Sequence, residues 1–195
     1  MLFVPFKRYG DLFKNEILIS EKEYFGGSAD YFNTHHKNLT LTKINKKHYS
    51  INDDYNVNVI RGMHPDIILV FGTILLSNRI ISSAKYVLNL HTGISPYYRG
   101  GPTNLWPFIK KEFGYFGVTI HLLSLGIDKG PIIYTVRPKI IPNDNYGTIN
   151  SRSIILGVKS LIKAIKIIEK GTHLELIKNN GFYAEMHKKQ TTKNL

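Results

Sequence analysis

The chain has 195 residues, enough for one domain with a sizeable core, and with 43% hydrophobic and 21% charged residues it reads as a folded globular protein. No apolar run approaches the roughly 18 residues needed to span a bilayer, the opening MLFVPFKRYGD lacks the charge order of a secretory signal, and the absence of cysteine excludes disulfides and thiolate metal sites. The 26 Lys and Arg against 14 Asp and Glu give a net charge of +12, which attracts phosphate-bearing ligands, but the basic residues are scattered, so a nucleic-acid partner is disfavoured; the lack of cysteine fits a reducing compartment, and a cytoplasmic location is expected.

In chain order, EILISE (Glu16–Glu21) and LTLTKI (Leu39–Ile44) read as short strands, with a turn marked by Gly26 and Gly27 between them. The polar stretch holding His35 and His36 reads as exposed. INDDYNVNVIRGMHPD is a short helix stopped by Gly62 and Pro65. DIILVFG then supplies a β-branched run expected to be a strand buried on both faces. LLSNRIISSA has helical spacing and YVLNLH returns to strand, which makes a βαβ unit and implies an α/β fold with a mostly parallel sheet and flanking helices.

TNLWPFIKKE is a short helix capped by Thr103 or Asn104, with Pro107 in its first turn. GVTIHLL and PIIYTVRPKII are strands separated by the turn SLGIDKGP. The strongest periodic signal runs from about 149 to 170, where Ile154, Val158, Leu161, Ile165 and Ile168 trace an apolar stripe and Lys159, Lys163, Lys166 and Lys170 lie largely off it. Asn150 or Ser151 would cap its start and Gly171 would end it. The polar tail from about residue 186 is expected to fray, and no linker divides the chain, so residues 1–195 are taken as one domain.

Side chains two apart on a strand share a face, so Asn89 and His91 point the same way from the end of YVLNLH, where open α/β sheets place their ligands. Asp128 follows the next strand, between Gly126 and Gly130. If those strands are neighbours, a carboxamide, an imidazole and a carboxylate meet in one cleft. That set suits acyl transfer to an amine. The amide N–H and a protonated imidazole stabilise the oxyanion, and the carboxylate favours the imidazolium and takes the amine proton through water. A metal site is not expected, since no histidine pair at i, i+4 faces a third ligand. His121 reads as structural, and Trp106, Tyr97 and Tyr98 as candidates for stacking on a substrate ring or packing under the loop.

LNLHTGISPYYRGGPTNLW followed by GVTIHLLSLGIDKGPII closely resembles the formyltransferases that use 10-formyltetrahydrofolate, including the glycinamide ribonucleotide, methionyl-tRNA and sugar amine enzymes. The resemblance covers about residues 65 to 133 and implies a Rossmann-like fold. It matches Asn89, His91 and Asp128 to the family's catalytic residues. It assigns Phe71, Gly72, Thr73, Ile74, Leu75 and Leu76 to the folate pocket, with Ser124, Leu125, Gly126 and Ile127 closing over the pteridine. The glycine-rich loop, Thr92, Gly93, Ile94, Ser95, Tyr98, Arg99 and Gly100, would then face the acceptor, with Arg99 holding an anionic part of either ligand.

Two family features have no counterpart: the opening strand with its glycine-bearing loop, and the C-terminal domain of the methionyl-tRNA enzyme. The expected acceptor is therefore a small amine, such as an amino sugar on a nucleotide carrier or a ribonucleotide amine. Hydrolysis of 10-formyltetrahydrofolate and folate or nucleotide binding without turnover are the alternatives. No membrane partner is expected, and the oligomeric state is open, a homodimer included.

Overall fold

The computed structural model describes residues 13–26, 50–169 and 173–178. The strand expected at Leu39–Ile44, the histidines at 35 and 36, Gly27, Lys170, the helix stop at Gly171 and the tail from residue 186 lie outside them. In chain order the elements are α1 (Lys14–Phe25), α2 (Asp54–Gly62), β1 (Ile67–Phe71), α3 (Asn78–Ile81), β2 (Tyr86–Thr92), α4 (Leu105–Ile109) and a 3-10 turn (Phe113–Tyr115). They continue with β3 (Val118–Leu122), β4 (Ile132–Val136), α5 (Tyr146–Glu169) and α6 (His173–Lys178).

The strands form one sheet in the order β1-β2-β3-β4. β1 and β2 are parallel and joined through α3, whereas β2–β3 and β3–β4 are antiparallel. The α/β, Rossmann-like class stands, but the described sheet is mixed rather than mostly parallel. Gly93 N–H bonds Gly117 O at 2.7 Å, so the chain re-enters the sheet where it left it and must run backwards along β2. The turn from Leu123 to Pro131 is then shorter than the dozen or so residues a parallel crossover needs.

Alternation assigns the two faces of the sheet. Leu88, Leu90, Val118 and Ile120 point to one side, where they form the core with Ile133 and with Ala164 and Ile168 of α5. Asn89, His91, Thr119 and His121 share the other face, because the register pairs Asn89 with His121 and His91 with Thr119. β1 is not buried on both faces as its β-branched run implies. Leu69 and Phe71 are 50% and 53% exposed, since β1 is the edge of the described sheet and α5 packs on β2, β3 and β4.

Residues 16–21 are helical, not a strand. Ile17 packs with Phe13 against Leu105, Phe116, Tyr146 and Ile149, and Ser20 is buried, while Leu18 and Ile19 face outward. Inward positions 13, 17 and 20 have helical spacing; the Ile-Leu-Ile run hides it. Tight crossing with α5 fixes the helix: a Cβ at Gly147 would lie 2.4 Å from the Glu16 carbonyl oxygen, so only glycine admits this approach.

α5 begins earlier than the periodicity suggests. Asn145 and Thr148 cap it reciprocally, Thr148 N–H donating to Asn145 Oδ1 at 2.9 Å and Asn145 N–H to Thr148 Oγ1 at 3.1 Å, so Asn150 and Ser151 are interior. Its buried line is Ile149, Ser153, Gly157, Ser160, Ala164 and Ile168, and Val158 of the expected stripe is exposed. Small residues let the helix lie close on the sheet, and a hydropathy pattern does not see them. Lys159, Lys163 and Lys166 are exposed as expected.

Two further elements are shorter than their patterns. Helix α3 spans four residues because Asn52 holds the preceding segment extended, its amide donating to Leu75 O at 2.8 Å and accepting from Ser77 N–H at 2.7 Å. β4 stops at Val136, before the Arg137-Pro138 pair that cannot continue the ladder.

Candidate active site

The parallel and antiparallel halves of the sheet meet at β2, and the C-terminal end of β2 opens into a cleft of about 700 Å³. Asn89 and His91 reach it from β2, His121 from β3 and Asp128 from the turn after β3. That turn is held tightly: a Cβ on Gly130 would fall 1.6 Å from the Leu122 carbonyl oxygen, so no other residue lets the loop fold back this closely. Asp128 itself adopts φ +47°, a left-handed conformation that Asp tolerates better than most residues, and this turns its carboxylate inward.

Asp128 is the centre of the polar cluster. Its Oδ2 accepts from Gly100 N–H at 2.8 Å and lies 3.3 Å from His91 Nδ1; its Oδ1 accepts from Asn89 Nδ2 at 3.2 Å and lies 3.4 Å from His121 Nε2. Burial pushes the carboxyl up, but the His121 ring, the Gly100 N–H and the charge that either imidazole can carry outweigh it and hold Asp128 below the usual carboxylate range.

The histidine tautomers follow from their partners. His121 Nδ1 donates to Leu122 O at 2.9 Å, so in the neutral ring Nε2 accepts from Asn89 Nδ2 at 3.1 Å, and the two amide hydrogens of Asn89 go to His121 and Asp128. His91 Nε2 donates to Tyr98 O at 2.9 Å, which leaves Nδ1 bare in the neutral ring and facing Asp128. Burial is the larger influence and lowers the His91 pKa; Asp128 and Tyr98 O oppose it without reversing it. Asp128 therefore favours the His91 imidazolium, as expected from the sequence, while desolvation of a ring only 6% exposed prevails. The site presents an amide donor beside a proton-accepting nitrogen backed by a carboxylate.

The opposite wall is apolar. Phe71, Gly72, Thr73, Ile74, Leu75 and Leu76 line it, and Ser124, Leu125, Gly126 and Ile127 form the rim. Ile74, Leu75, Leu125 and Ile127 are each about half exposed or more. Thr92 and Gly100 line the cleft, but five residues of the glycine-rich loop do not. Gly93, Ile94 and Ser95 turn into the protein, stapled to β3 by Thr119, whose Oγ1 donates to Gly93 O and accepts from Ser95 N–H. Tyr98 and Arg99 lie on the outer side, apart from the Tyr98 carbonyl.

Several lining residues carry no local signal in the sequence. His121 read as structural, because only the antiparallel register sets it opposite Asn89, beside an irregularity in the β3–β4 pairing at Ile120/His121. Gly101, Pro102 and Thr103 line the cleft too, and with Phe71 and Thr92 they bear on what lies behind it. Phe71, Thr92, Pro102 and Thr103 also border a second chamber of about 240 Å³. Phe13, Ile17, Leu105, Tyr146 and Ile154 give it an apolar lining, with Thr92, Thr103, Asn104 and Asn150 as its polar residues and, among the described residues, no charged side chain.

The family model described as "Formyl transferase" matches residues 13–165. Methionyl-tRNA formyltransferase of Clostridium beijerinckii is 33% identical over 131 residues, 65% of this chain and 42% of that protein. The Syntrophus aciditrophicus protein of the same name is 31% identical over 121 residues, 61% of this chain and 38% of its own length. The chain thus spans about two fifths of these relatives. Among solved structures, a 4-N formyltransferase from Francisella tularensis superposes with a TM-score of 0.55 at 22% identity, covering 80% of this chain and 66% of that one. Phosphoribosylglycinamide formyltransferase from Streptococcus pneumoniae gives 0.56 at 21% identity, covering 67% and 74%. At these identities the structural likeness speaks for the fold.

Proposed function

The chain belongs to the formyl transferase family, and on that premise we propose that it transfers a formyl group from 10-formyltetrahydrofolate to the primary amine of a small acceptor. The observation that carries the proposal is the convergence of Asn89, His91 and Asp128 at the mouth of a cleft whose other wall is exposed apolar surface. At about 700 Å³ the cleft is within the roughly 300–1,000 Å³ range of small-molecule sites, and Phe71, Ile74, Leu75, Leu125 and Ile127 offer a flat heterocycle the apolar contact they lack among themselves. When bound there, the donor supplies a formyl carbonyl carried on nitrogen.

In this reading the Asn89 amide hydrogen that rests on Asp128 Oδ1 turns to the carbonyl oxygen as negative charge builds on it, an interaction commonly worth about 3 kcal/mol. His91 is poised as a base. Its Nε2–H is fixed on Tyr98 O, so the Nδ1 lone pair, beside Asp128 Oδ2, receives the proton that the amine sheds as the new C–N bond forms. Asp128 and the charged oxygen then hold the imidazolium, which returns the proton to the departing nitrogen as the old C–N bond breaks. No side chain becomes acylated.

The second chamber supports a small acceptor. It adjoins the reacting groups across Thr92 and Thr103, and its aromatic and amide lining suits an uncharged ring, so a phosphate or carrier would project outward. The test offers 10-formyltetrahydrofolate with amino sugars, glycinamide ribonucleotide, methionyl-tRNA or no acceptor, and follows tetrahydrofolate release. Release dependent on one of the small amines is expected. Release only with methionyl-tRNA would refute the small acceptor, and equal release without any amine would make the protein a hydrolase.

A further inference from the structure

One residue of the loop between β2 and α4 is bonded on both sides. On the inner side the Tyr98 carbonyl accepts the Nε2 proton of His91, and on the outer side the Tyr98 hydroxyl donates to Glu112 Oε2. We infer that the Tyr98–Glu112 pair is a positioning clamp for His91, setting from the protein surface which ring nitrogen carries the proton and which is left free; this rests on the formyl-transfer reading for its catalytic consequence.

The neighbouring backbone gives the inference its weight. Residues 93 to 95 are stapled to β3, and Gly100 N–H is tied to Asp128. Between these anchors Tyr97 and Arg99 are exposed, and the main chain of Tyr98 makes one local bond, its N–H to Ile94 O at 3.0 Å. Beside that bond and the Tyr97 ring, which lies 4.8 Å from the ring of Tyr115, the Tyr98 side chain holds the height of the Tyr98 carbonyl from the outer side. Glu112 is a firm anchor, because its own N–H is bonded to Pro107 O at 2.8 Å at the end of α4. Around the pair, the Tyr115 ring lies 6.0 Å from the Tyr98 ring and Lys110 Nζ lies 5.7 Å from its centroid. Burial and the adjacent Glu112 carboxylate push the Tyr98 hydroxyl up to about 12, so it stays a donor throughout the working range of pH.

Its consequence concerns the proton. If the Tyr98 carbonyl shifts, Nε2 loses the acceptor that secures its hydrogen, and the hydrogen can move to Nδ1, beside Asp128. His91 would then present no lone pair to the incoming amine, although every group touching substrate is intact.

The experiment compares wild type with Tyr98→Phe, Glu112→Ala and Glu112→Gln. The first two break the clamp; the third keeps an acceptor for the Tyr98 hydroxyl. Long-range ¹H–¹⁵N spectra of protein labelled in the histidine rings report the His91 tautomer without any turnover. The wild-type ring is expected in the Nε2–H form, with Tyr98→Phe and Glu112→Ala mixed and Glu112→Gln close to wild type. In parallel, kcat should fall about tenfold in the first two with the KM for the formyl donor within about twofold, and recover in Glu112→Gln. A pure Nε2–H ring in both broken variants, folded by circular dichroism, would overturn the clamp even if formyl transfer stands. Absence of formyl transfer in wild type, with the tautomer responding as described, would instead remove the reading on which the catalytic consequence rests. Lys110→Ala, which leaves the clamp whole, should change neither signal.

Discussion

The two walls of the cleft are built on opposite principles. On the β2–β3 side, Asn89, His91, His121 and Asp128 are interlocked by hydrogen bonds and close ring–carboxylate contacts between 3.1 and 3.4 Å, and all but Asp128 lie on strands whose other face is the hydrophobic core. On the β1 side, Phe71, Ile74, Leu75, Leu125 and Ile127 leave much of their apolar surface exposed. The polar wall is organised before any ligand arrives, as electrostatic stabilisation of a developing charge requires. The apolar wall gains its stabilisation only when a ligand displaces water from it. On the proposed function, chemistry and binding are thus separable by location.

That separation is sharpest for the polar trio. Asn89→Ala, His91→Ala and Asp128→Ala should each lower kcat about 10²- to 10⁴-fold with the fold retained by circular dichroism. A variant with near-normal turnover would remove its residue from the mechanism. Acidification should have the next largest effect. On the proposed mechanism, in which His91 is a neutral base and burial lowers its pKa against the pull of Asp128 and Tyr98 O, with His121 also facing it, activity should hold down to below about pH 6.5 and then drop roughly tenfold per pH unit. A rate profile already falling at pH 7 to 7.5 would contradict the direction of that shift.

The apolar wall should answer in a different parameter. Leu75→Ala removes exposed side-chain surface, so it should raise the KM for the formyl donor about fivefold and leave kcat and melting temperature nearly unchanged. A loss confined to kcat would erase the distinction between the walls. The smallest effect on activity belongs to a pair remote from both. Asp144 is bonded to Arg152, Ile141 N–H and Thr148 at the start of α5, and these partners lower its pKa against the opposing effect of burial. Asp144→Asn should cost about 1–2 kcal/mol of stability by chemical denaturation and nothing in kcat. Since the folded-state pKa is depressed, this contribution is present above the ordinary Asp value and lost as pH falls through the folded one.

The polar wall was more legible in the sequence than its surroundings. Asn89 and His91 announce themselves by two-residue spacing at a strand end, and Asp128 by the glycines around it, because strand alternation and turn chemistry are local. His121 was not legible in the same way, since its place opposite Asn89 depends on an antiparallel register fixed by the Gly93–Gly117 bond far along the chain. α1 hides in the sequence because the positions it turns inward, Ile17 and Ser20, count only once Gly147 is known to lie beneath them. The contact face of α5 is built from Ser153, Gly157, Ser160 and Ala164, residues that carry almost no hydropathy signal yet let the helix settle on the sheet. The extended segment before α3 rests on Asn52, two dozen residues upstream, which no local pattern reports.

Phe71, Thr92, Pro102 and Thr103 form a partition common to both chambers. On the proposed function, in which no side chain is acylated, two compartments that share one set of residues would hold donor and acceptor together before the carbon moves. Initial velocities measured against both reactants should then give intersecting lines in reciprocal plots, the signature of a ternary complex; parallel lines would mean that the carbon waits on the protein between two half-reactions.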